Sequence, residues 1–273
     1  MLENAERVAM NAELFGAWSP EQFANLSPHI AHASLRELWQ RLAASVWERS
    51  VRDVPVPRVL DLGAGDGFGC IPFLEMGARV TAVDGSVSPL LRLREVRGYE
   101  DVLTVVQQSA EDFLMVNRER FDIVIASSFL HHVPDYLGLI SAIVERLNLR
   151  GQILFFQDPL RYDTQPRLTR FADVLAYSAW RLFEPDALGG IKRRLRRMRG
   201  AFLEDCPQDN VEYHVVRNGV DQDAVASTLR HKGLKTKVVR YWSQQGNVSQ
   251  AIGEWLRLEN SFAIWAMRED LDA

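Results

Sequence analysis

Cysteine is scarce in this chain, in which Cys70 and Cys206 are the only two among 273 residues. Two cysteines cannot build a disulfide framework or a four-cysteine zinc site, so we expect a reducing compartment and two buried, unreactive thiols. The sequence also lacks any run of about 18 uncharged apolar residues, and its first thirty residues lack the apolar centre of a secretion signal. We therefore expect a cytoplasmic protein without a membrane span.

An excess of one charge is missing as well. The 32 Lys and Arg residues and the 36 Asp and Glu residues leave a net charge of -4, which argues against a uniformly basic nucleic-acid-binding protein. No internal repeat or low-complexity segment occurs. A hydrophobic content of 47% and a length of 273 residues predict a globular protein of one or two domains with a sizeable core.

The order of apolar segments indicates how the chain is organised. Apolar residues recur every three or four positions over residues 35–49, which predicts an amphipathic helix, and Pro55 and Pro57 end this segment. Short apolar runs then alternate with helical stretches at 71–76, 87–96 and 137–147. The runs at 58–62, 79–83, 102–106, 121–126 and 152–156 predict strands of a parallel sheet built from right-handed βαβ units.

This alternation stops after residue 158. Residues 159–220 show no strand pattern, and we expect inserted helices over 167–202 that cap the carboxyl edge of the sheet. A helix at 222–231, strands at 236–241 and 261–268, and a joining helix at 246–258 follow. The predicted parts are thus an N-terminal helical segment (1–57), a core (58–158 and 221–273) and a cap (159–220).

A glycine-rich loop follows the first predicted strand. Gly63, Gly65 and Gly67 alternate with other residues, and glycine lets a ligand approach the backbone closely. Phe68 stands where a dinucleotide fingerprint needs its third glycine, and no Gly-Lys-Ser/Thr of a P-loop follows. Asp84 ends the second strand, where a carboxylate can accept hydrogen bonds from both hydroxyls of a ribose. Its alternative role is to cap the next helix.

Several ordered motifs give the chain its resemblance to a known family. They are DLGAGDG at 61–67, TAVD at 81–84, SAEDF at 109–113, FDIV at 121–124 and LHHV at 130–133. This series resembles the motifs of class I S-adenosylmethionine-dependent methyltransferases, strongly over 58–158 and by strand pattern alone over 221–268. The resemblance implies an α/β, Rossmann-like fold: a seven-stranded, mostly parallel sheet with helices on both faces, an antiparallel last strand and an inserted helical cap.

The resemblance also implies a cofactor, S-adenosyl-L-methionine, which leaves as S-adenosyl-L-homocysteine. It assigns the glycine loop to the methionine part, Asp84 to the ribose, Asp61 to the amino group, and Ala110 with Glu111 to the adenine. Family members often carry an acid where this chain has Ser109, so adenine recognition must rest on that hydroxyl, on Glu111 or on Asp112. The predicted cofactor-binding residues are Asp61, Gly63, Ala64, Gly65, Asp84, Gly85, Ala110, Glu111 and Ser127.

Candidate catalytic residues follow the fourth and fifth strands. A hydroxyl that accepts a methyl group loses its proton, and a base with a pKa near neutrality helps. His131 or His132 can be that base, and a packing role is the alternative for both. Asp158 can accept the proton, pair with a cationic amine, bind a divalent metal or cap the turn at Pro159. No three acids end consecutive strands, so the sequence supports no metal site.

Aromatic and basic residues of the cap are candidates for acceptor selection. Phe171, Phe183, Arg161, Arg170 and Arg181 belong to this group, and packing of the cap on its own sheet is the alternative. At the N-terminus, Phe15, Trp18 and Phe23 are predicted to cover the cofactor or to pack in the core. The predicted substrate-binding residues are His131, Asp158, Tyr162, Arg167, Tyr177 and Trp180.

Residues 192–199 contain six basic side chains. Apolar residues at 191, 195, 198 and 202 make this segment an amphipathic helix with one basic face. The basic face has three interpretations: a solvated surface, a contact with an anionic acceptor or a membrane surface, and a contact with RNA.

The sequence therefore predicts a small-molecule methyltransferase, with a hydroxyl of a sugar-like or natural-product acceptor as the target. Nucleic acid is not the expected partner, and a monomer or a homodimer is expected. The alternatives are an N- or C-methyltransferase, an RNA methyltransferase that uses the helix at 191–199, and a cofactor-binding scaffold without activity.

Overall fold

The computed structural model describes residues 9–10, 13–183, 187–199, 201 and 218–268. Its centre is a seven-stranded sheet with the order β3-β2-β1-β4-β5-β7-β6. Only β7 runs antiparallel to its neighbours, β5 and β6. The strands are β1 (Arg58–Leu62), β2 (Arg79–Asp84), β3 (Leu103–Gln107), β4 (Phe121–Ser127), β5 (Leu147–Pro159), β6 (Leu234–Tyr241) and β7 (Ser261–Arg268). The predicted fold class is confirmed, including the antiparallel last strand.

Helices cover both faces of the sheet. The helices are α1 (Pro20–Leu26), α2 (Pro28–Ala31), α3 (Ala33–Ser50), α4 (Ile71–Glu75), α5 (Val87–Arg94), α6 (Ala110–Val116), α7 (Tyr136–Glu145), α8 (Arg167–Arg181), α9 (Ala187–Met198), α10 (Gln222–His231) and α11 (Asn247–Trp255). Residues of α3, α4 and α5 form one core cluster with the sheet, and residues of α6, α7 and α10 form the other. Because both faces are covered, the central strand β4 is buried along six of its seven residues.

The order of the strands positions the site. β1 lies between β2 and β4. From β1 the chain adds β2 and β3 toward one edge of the sheet, and then β4 and β5 toward the other edge. A crevice opens at the carboxyl ends of parallel strands where the order reverses, because the following loops diverge there. The loops after β1, β2, β4 and β5 all lie at this edge.

Element boundaries differ from the predictions mainly around β5. The predicted helix 137–147 ends earlier, at Glu145, and β5 begins at Leu147 rather than at residue 152. Leu147 pairs with Phe121 of β4, so sheet pairing overrides the apolar periodicity that continues the helix in the sequence. The predicted cap helices are present as α8 and α9, while Phe202 and Cys206 lie outside the described residues.

Two further predictions concern burial and the membrane. Cys70 is fully buried, as expected for an unreactive thiol, and burial raises its pKa well above the ordinary value. Within the described part of the chain, every helix is too short or too polar to cross a bilayer.

Candidate active site

A cavity of about 640 Å³ lies at the carboxyl edge of the sheet. Three parts of the chain line it: the loops after the strands, the N-terminal segment around α1 and α2, and the cap helices α8 and α9. All nine residues predicted to bind the cofactor lie in its wall. The structure therefore brings together residues from β1, β2, β4 and α6 that are up to 66 positions apart in the sequence, from Asp61 to Ser127.

The glycine loop is fixed by hydrogen bonds to β2. The N–H groups of Gly63 and Ala64 both donate to the carbonyl of Val83, at 2.9 and 3.1 Å. Gly63 has a φ of 72°, and a Cβ there would overlap the ring of Phe129, so this glycine is required by packing. Gly65 has a φ of 54°, and a Cβ there would meet no atom within 4 Å. Gly65 is thus the position of this loop whose missing side chain leaves open space for a ligand.

Asp84 holds the loop from the end of β2. One carboxylate oxygen accepts from the N–H of Gly65 at 2.9 Å, and the other accepts from the N–H of Ser86 at 2.7 Å. Burial raises the pKa of Asp84, and these two hydrogen bonds oppose the rise. The residue that precedes α5 as its N-cap is Ser86, so Asp84 does not occupy the helix-cap position proposed as its alternative. Each carboxylate oxygen can accept two hydrogen bonds and here accepts one from the backbone, so each can still accept one from a hydroxyl of a ligand.

Asp61 is a buried carboxylate without good hydrogen bonds. It is 1% exposed, and among the described residues neither of its oxygens accepts a hydrogen bond of normal geometry. Burial raises its pKa to about 7, while the adjacent Cys70 lowers the value and the charge of Asp84 raises it. A buried carboxylate in the wall of a cavity is suited to a cationic ligand group, because the cation would replace the lost water.

Ser109 begins α6 as its N-cap. Its hydroxyl accepts from the N–H of Asp112 at 3.0 Å and donates to the Asp112 carboxylate at 2.7 Å. The hydroxyl is therefore engaged in capping, and Asp112 is exposed and lies outside the cavity wall. Glu111 lies in the wall beside Ala110, which makes it the acid of this segment closest to a bound ligand.

His131 and Asp158 form a buried pair. The Nδ1 atom of His131 lies 2.8 Å from Oδ1 of Asp158, and the backbone N–H of His131 donates to the same oxygen at 3.0 Å. The hydrogen bond from the backbone N–H to Oδ1 favours the ionised form of the Asp158 carboxylate. An ionised carboxylate needs a donor opposite it, so His131 has its proton on Nδ1. In that tautomer Nε2 is the basic nitrogen. His131 lies in the cavity wall, whereas Asp158 is fully buried behind it.

His132 has different surroundings. Its ring packs against the ring of His131 with centroids 3.9 Å apart and against the edge of Phe15 with centroids 5.3 Å apart. Phe15 in turn contacts Trp18 and Phe23, and all three predicted N-terminal aromatic residues line the cavity. The aromatic residues of the N-terminal segment thus pack beside the strand-end loops, and His132 is part of that packing.

The cap wall presents aromatic rings and one buried ion pair. Tyr162, Tyr177 and Trp180, which are predicted to bind the substrate, lie in the wall. The Arg194 guanidinium of α9 lies 3.0 Å from the Asp173 carboxylate of α8 and 4.3 Å from the ring centroid of Tyr177. Arg194 was predicted on the basic face of its helix, but its side chain is turned inward and is 15% exposed.

Six residues predicted to contact the acceptor lie outside the cavity wall: Asp158, Arg161, Arg167, Arg170, Phe171 and Phe183. Asp158 was predicted to touch the acceptor or a metal, yet it lies outside the cavity wall and is 0% exposed, because His131 covers it. Arg167, Phe171 and Phe183 lie on the exposed side of the cap and not in the cavity, since the inner face of α8 is formed by Thr169, Ala176 and Tyr177. Apolar and basic residue types alone do not tell which face of a cap helix is inside.

Two features of the wall were not predicted. His29 of α2 is 3% exposed, and its Nδ1 has no hydrogen-bond partner among the described residues. Burial lowers the pKa of His29 to about 3, with an electrostatic contribution from the neighbouring His131. Asp173 accepts from the side-chain amides of Gln244 and Asn260 at 2.6 and 2.7 Å. None of these residues belongs to a motif. The only available signal was the polar type of Asp173 on an otherwise apolar helix face.

Metal ligands are not gathered at the site. Across the residues described by the structure, no three His, Cys, Asp or Glu side chains are arranged to hold a metal ion.

Comparison with known proteins identifies the family. A family model described as a methyltransferase domain matches residues 28–205, which is more than half of the chain. The chain belongs to this methyltransferase domain family. The match includes β1 to β5, the glycine loop, the His131–Asp158 pair and most of the cap of this methyltransferase domain.

A curated relative matches the central part. The ubiquinone biosynthesis O-methyltransferase of Bradyrhizobium sp. (strain ORS 278) is 35% identical over 96 residues, which cover 32% of this chain and 36% of that enzyme. The chain thus matches little more than a third of that relative's length.

Solved structures share the fold over nearly the whole chain. The plantazolicin methyltransferase in complex with SAH covers 97% of this chain and 96% of its own, with a TM-score of 0.56 and 10% identity. The magnesium protoporphyrin IX methyltransferase of Synechocystis PCC 6803, with bound SAH, covers 95% and 93%, with a TM-score of 0.53 and 15% identity. At such identities the likeness establishes the fold.

Proposed function

We propose that this methyltransferase domain transfers the methyl group of S-adenosyl-L-methionine to a hydroxyl oxygen of a small sugar-like or natural-product acceptor. The observation that carries the proposal is the His131–Asp158 pair, which presents an oriented imidazole to the cavity that also contains the glycine loop. Transfer to a hydroxyl requires a base, whereas transfer to a neutral amine proceeds without one in the transfer step. The geometry therefore favours an oxygen acceptor over the N-methylation alternative.

The residues around the glycine loop fit the cofactor. Asp61 offers a buried carboxylate to its amino group, the open space at Gly65 accommodates its methionine part, and Asp84 offers acceptors to its ribose hydroxyls. Glu111 and Ala110 would lie beside the adenine. When bound, S-adenosyl-L-methionine supplies an activated methyl group on a sulfonium. The solved structures with similar folds contain SAH, which supports the same cofactor here.

His131 performs the acid–base step in this proposal. Its Nε2 takes the proton of the acceptor hydroxyl, and the imidazolium that forms is stabilised by the Asp158 carboxylate 2.8 Å from Nδ1. Asp158 acts through His131 and is a positioning residue, since it is fully buried. His132 packs in the aromatic cluster of the N-terminal segment and takes no part in proton transfer in this scheme.

The cap wall selects the acceptor. Tyr162, Tyr177 and Trp180 provide flat surfaces for a ring, and Arg181 and Arg193 also line this side of the cavity. This combination suits a ring with hydroxyl or acidic substituents. The similarity to a ubiquinone biosynthesis O-methyltransferase supports an oxygen acceptor as well.

The geometry gives less support to RNA as the acceptor. Arg194 is turned inward to Asp173, so this basic residue of α9 does not contribute to an outer face. Nucleic-acid binding depends on such a continuous positive surface.

The first experiment is calorimetry with S-adenosyl-L-methionine, followed by transfer of a labelled methyl group to a panel of phenols, sugars and amines. Binding with transfer to hydroxyl acceptors is expected. Absence of binding at millimolar cofactor would refute the cofactor assignment and leave the scaffold alternative. Binding with transfer only to amines would refute the oxygen acceptor.

A second experiment tests the positioning role of Asp158. The Asp158→Asn substitution should lower kcat by about 10- to 1000-fold and shift the acidic limb of the pH–rate profile to lower pH, because His131 loses the negative charge that raises its basicity. An unchanged pH profile with lower kcat would mean that Asp158 only supports the fold. Cofactor affinity is the control and should stay within about 2-fold, since Asp158 lies outside the cavity wall.

A further inference from the structure

The outer surface of the cap carries an apolar stripe that the proposed reaction does not use. Leu168, Phe171, Leu175 and Leu182 follow one another on α8 and its end at spacings of three, four and seven residues, so they lie on one side of the helix. They are between 59% and 69% exposed, and the adjacent Phe183 is 90% exposed. We call these five residues the cap stripe.

The opposite face of α8 is already in use. Thr169, Ala176 and Tyr177 are buried, and Asp173 and Trp180 line the cavity. The cap stripe is therefore not core that belongs inside the domain, because α8 packs on the sheet edge through its other side. Soluble proteins rarely expose several large apolar side chains in one place unless that surface binds something.

Exposed basic residues accompany the cap stripe in the cap. Arg167 and Arg170 lie on α8, Lys192 lies on α9 and Arg199 directly follows α9, and all four are exposed. Residues 167–199 contain nine Lys and Arg and three Asp and Glu, a net of +6 in a chain whose net charge is -4. The positive charge is thus concentrated on the segment that carries the stripe.

An anionic bilayer surface is the partner that matches both properties. A helix with one large apolar face and flanking Lys and Arg lies in the bilayer interface, where its apolar side chains enter the acyl boundary and its cations meet acidic headgroups. We propose that the cap stripe docks this domain on membranes that contain anionic phospholipid. The inference is independent of the proposed function, since it concerns the face of α8 opposite to the cavity.

The chain contains a second apolar stripe that serves as a matched control. Val248, Ile252 and Trp255 on α11 are 73%, 52% and 81% exposed. Residues 247–259 include the acidic Glu254 and Glu259 and one basic residue, Arg257. The α11 stripe therefore has similar apolar character without a net positive charge beside it.

Co-sedimentation with vesicles tests the docking, without cofactor or acceptor. Wild-type protein should bind vesicles of equal parts phosphatidylglycerol and phosphatidylcholine, bind phosphatidylcholine alone much more weakly, and dissociate at high salt. The Leu168→Gln/Phe171→Gln/Leu175→Gln variant should bind at least about 10-fold more weakly. The Arg170→Gln/Lys192→Gln/Arg199→Gln variant should lose about 100-fold, since each charge near the surface contributes about 5-fold.

The control variant, Val248→Gln/Ile252→Gln/Trp255→Gln, should bind as wild type does. Equal loss in this variant, equal binding to neutral vesicles, or no binding of the wild type would overturn the proposal. Sedimentation velocity adds one more outcome: a wild-type dimer that becomes a monomer in the cap-stripe variant, without vesicle binding, would assign the stripe to self-association instead. Thermal unfolding midpoints close to wild type exclude misfolding as the cause, because all substituted residues are exposed.

Discussion

The wall formed by the strand ends and the wall formed by the cap face each other across one cavity, but they are built differently. The strand-end wall presents backbone N–H groups and buried carboxylates that are held by groups nearer in the sequence. Asp84, for example, is held by Ser86, two residues away, and by Gly65, 19 residues away. The cap wall presents side chains of two helices that are held by residues far away in the sequence, as Asp173 is by Gln244 and Asn260. A short motif can encode the first wall, whereas only the complete fold produces the second.

In the proposed reaction, this difference separates cofactor binding and proton transfer from the choice of acceptor. Substitutions in the strand-end wall should affect the cofactor or the chemical step for every acceptor. Substitutions in the cap wall should affect one acceptor more than another and leave the cofactor bound.

The largest effect is expected at His131. The His131→Ala substitution should lower kcat by about 10²- to 10⁴-fold, because the acceptor hydroxyl loses its base. Cofactor affinity measured by calorimetry should change little. The neighbouring His132→Ala is the matched variant, and its rate should stay within about 10-fold of the wild type. Equal losses in both variants would contradict the assignment of the base to His131.

The next largest effect concerns the cofactor. The Asp84→Ala substitution should weaken S-adenosyl-L-methionine binding by about 100-fold or more, since two hydrogen bonds to a charged group are lost at about 1.5 kcal/mol or more each. Calorimetry gives the dissociation constant directly. An unchanged affinity would show that Asp84 serves only the loop, through Gly65 and Ser86.

Asp61 should make cofactor binding depend on pH. Its pKa in the free protein is raised to about 7, so the carboxylate is largely protonated at lower pH, and affinity for a cationic amino group should rise up to about 10-fold per pH unit as pH approaches 7. The Asp61→Asn variant should bind more weakly and show a flat profile. A pH-dependent affinity that persists in this variant would place the titrating group elsewhere.

The same pKa predicts a stability effect of opposite sign. Because the folded state binds the Asp61 proton more tightly than the unfolded state, the free protein should lose stability as pH rises from the ordinary Asp pKa to about 7. The full effect amounts to about 4 kcal/mol at most. Chemical denaturation of wild type and Asp61→Asn across this range measures it, and parallel curves would contradict it.

The smallest effect belongs to the cap wall. The Trp180→Ala substitution should raise KM for the acceptor by about 10-fold through lost apolar contact, while cofactor affinity stays within about 2-fold. Steady-state kinetics with saturating cofactor separates the two quantities. A comparable loss of cofactor affinity would break the division between the two walls.

The sequence was sufficient for the sheet and for most of the strand-end wall. Alternating apolar runs predicted all seven strands, and the glycine loop with Asp84 predicted the cofactor wall, because these features are local in the chain. The roles of His131 and His132 could not be separated in advance, since they depend on Asp158, which lies 27 residues away, and on Phe15. His29 had no signal at all, because its burial results from the packing of α2 against Phe68.

The Asp173 carboxylate has a consequence for engineering. It joins α8 to α9 through Arg194 and to the sheet edge through Gln244 and Asn260, so the cap is not an interchangeable module. A chimera that receives the cap helices of another family member without this acid would leave the buried Gln244 amide without this acceptor and the Asn260 amide with only the Ser243 carbonyl. A buried donor without an acceptor costs about 1–3 kcal/mol, a large share of the stability of an ordinary domain. Grafts that retain Asp173 and Arg194 and vary only the residues facing the cavity are the ones expected to fold.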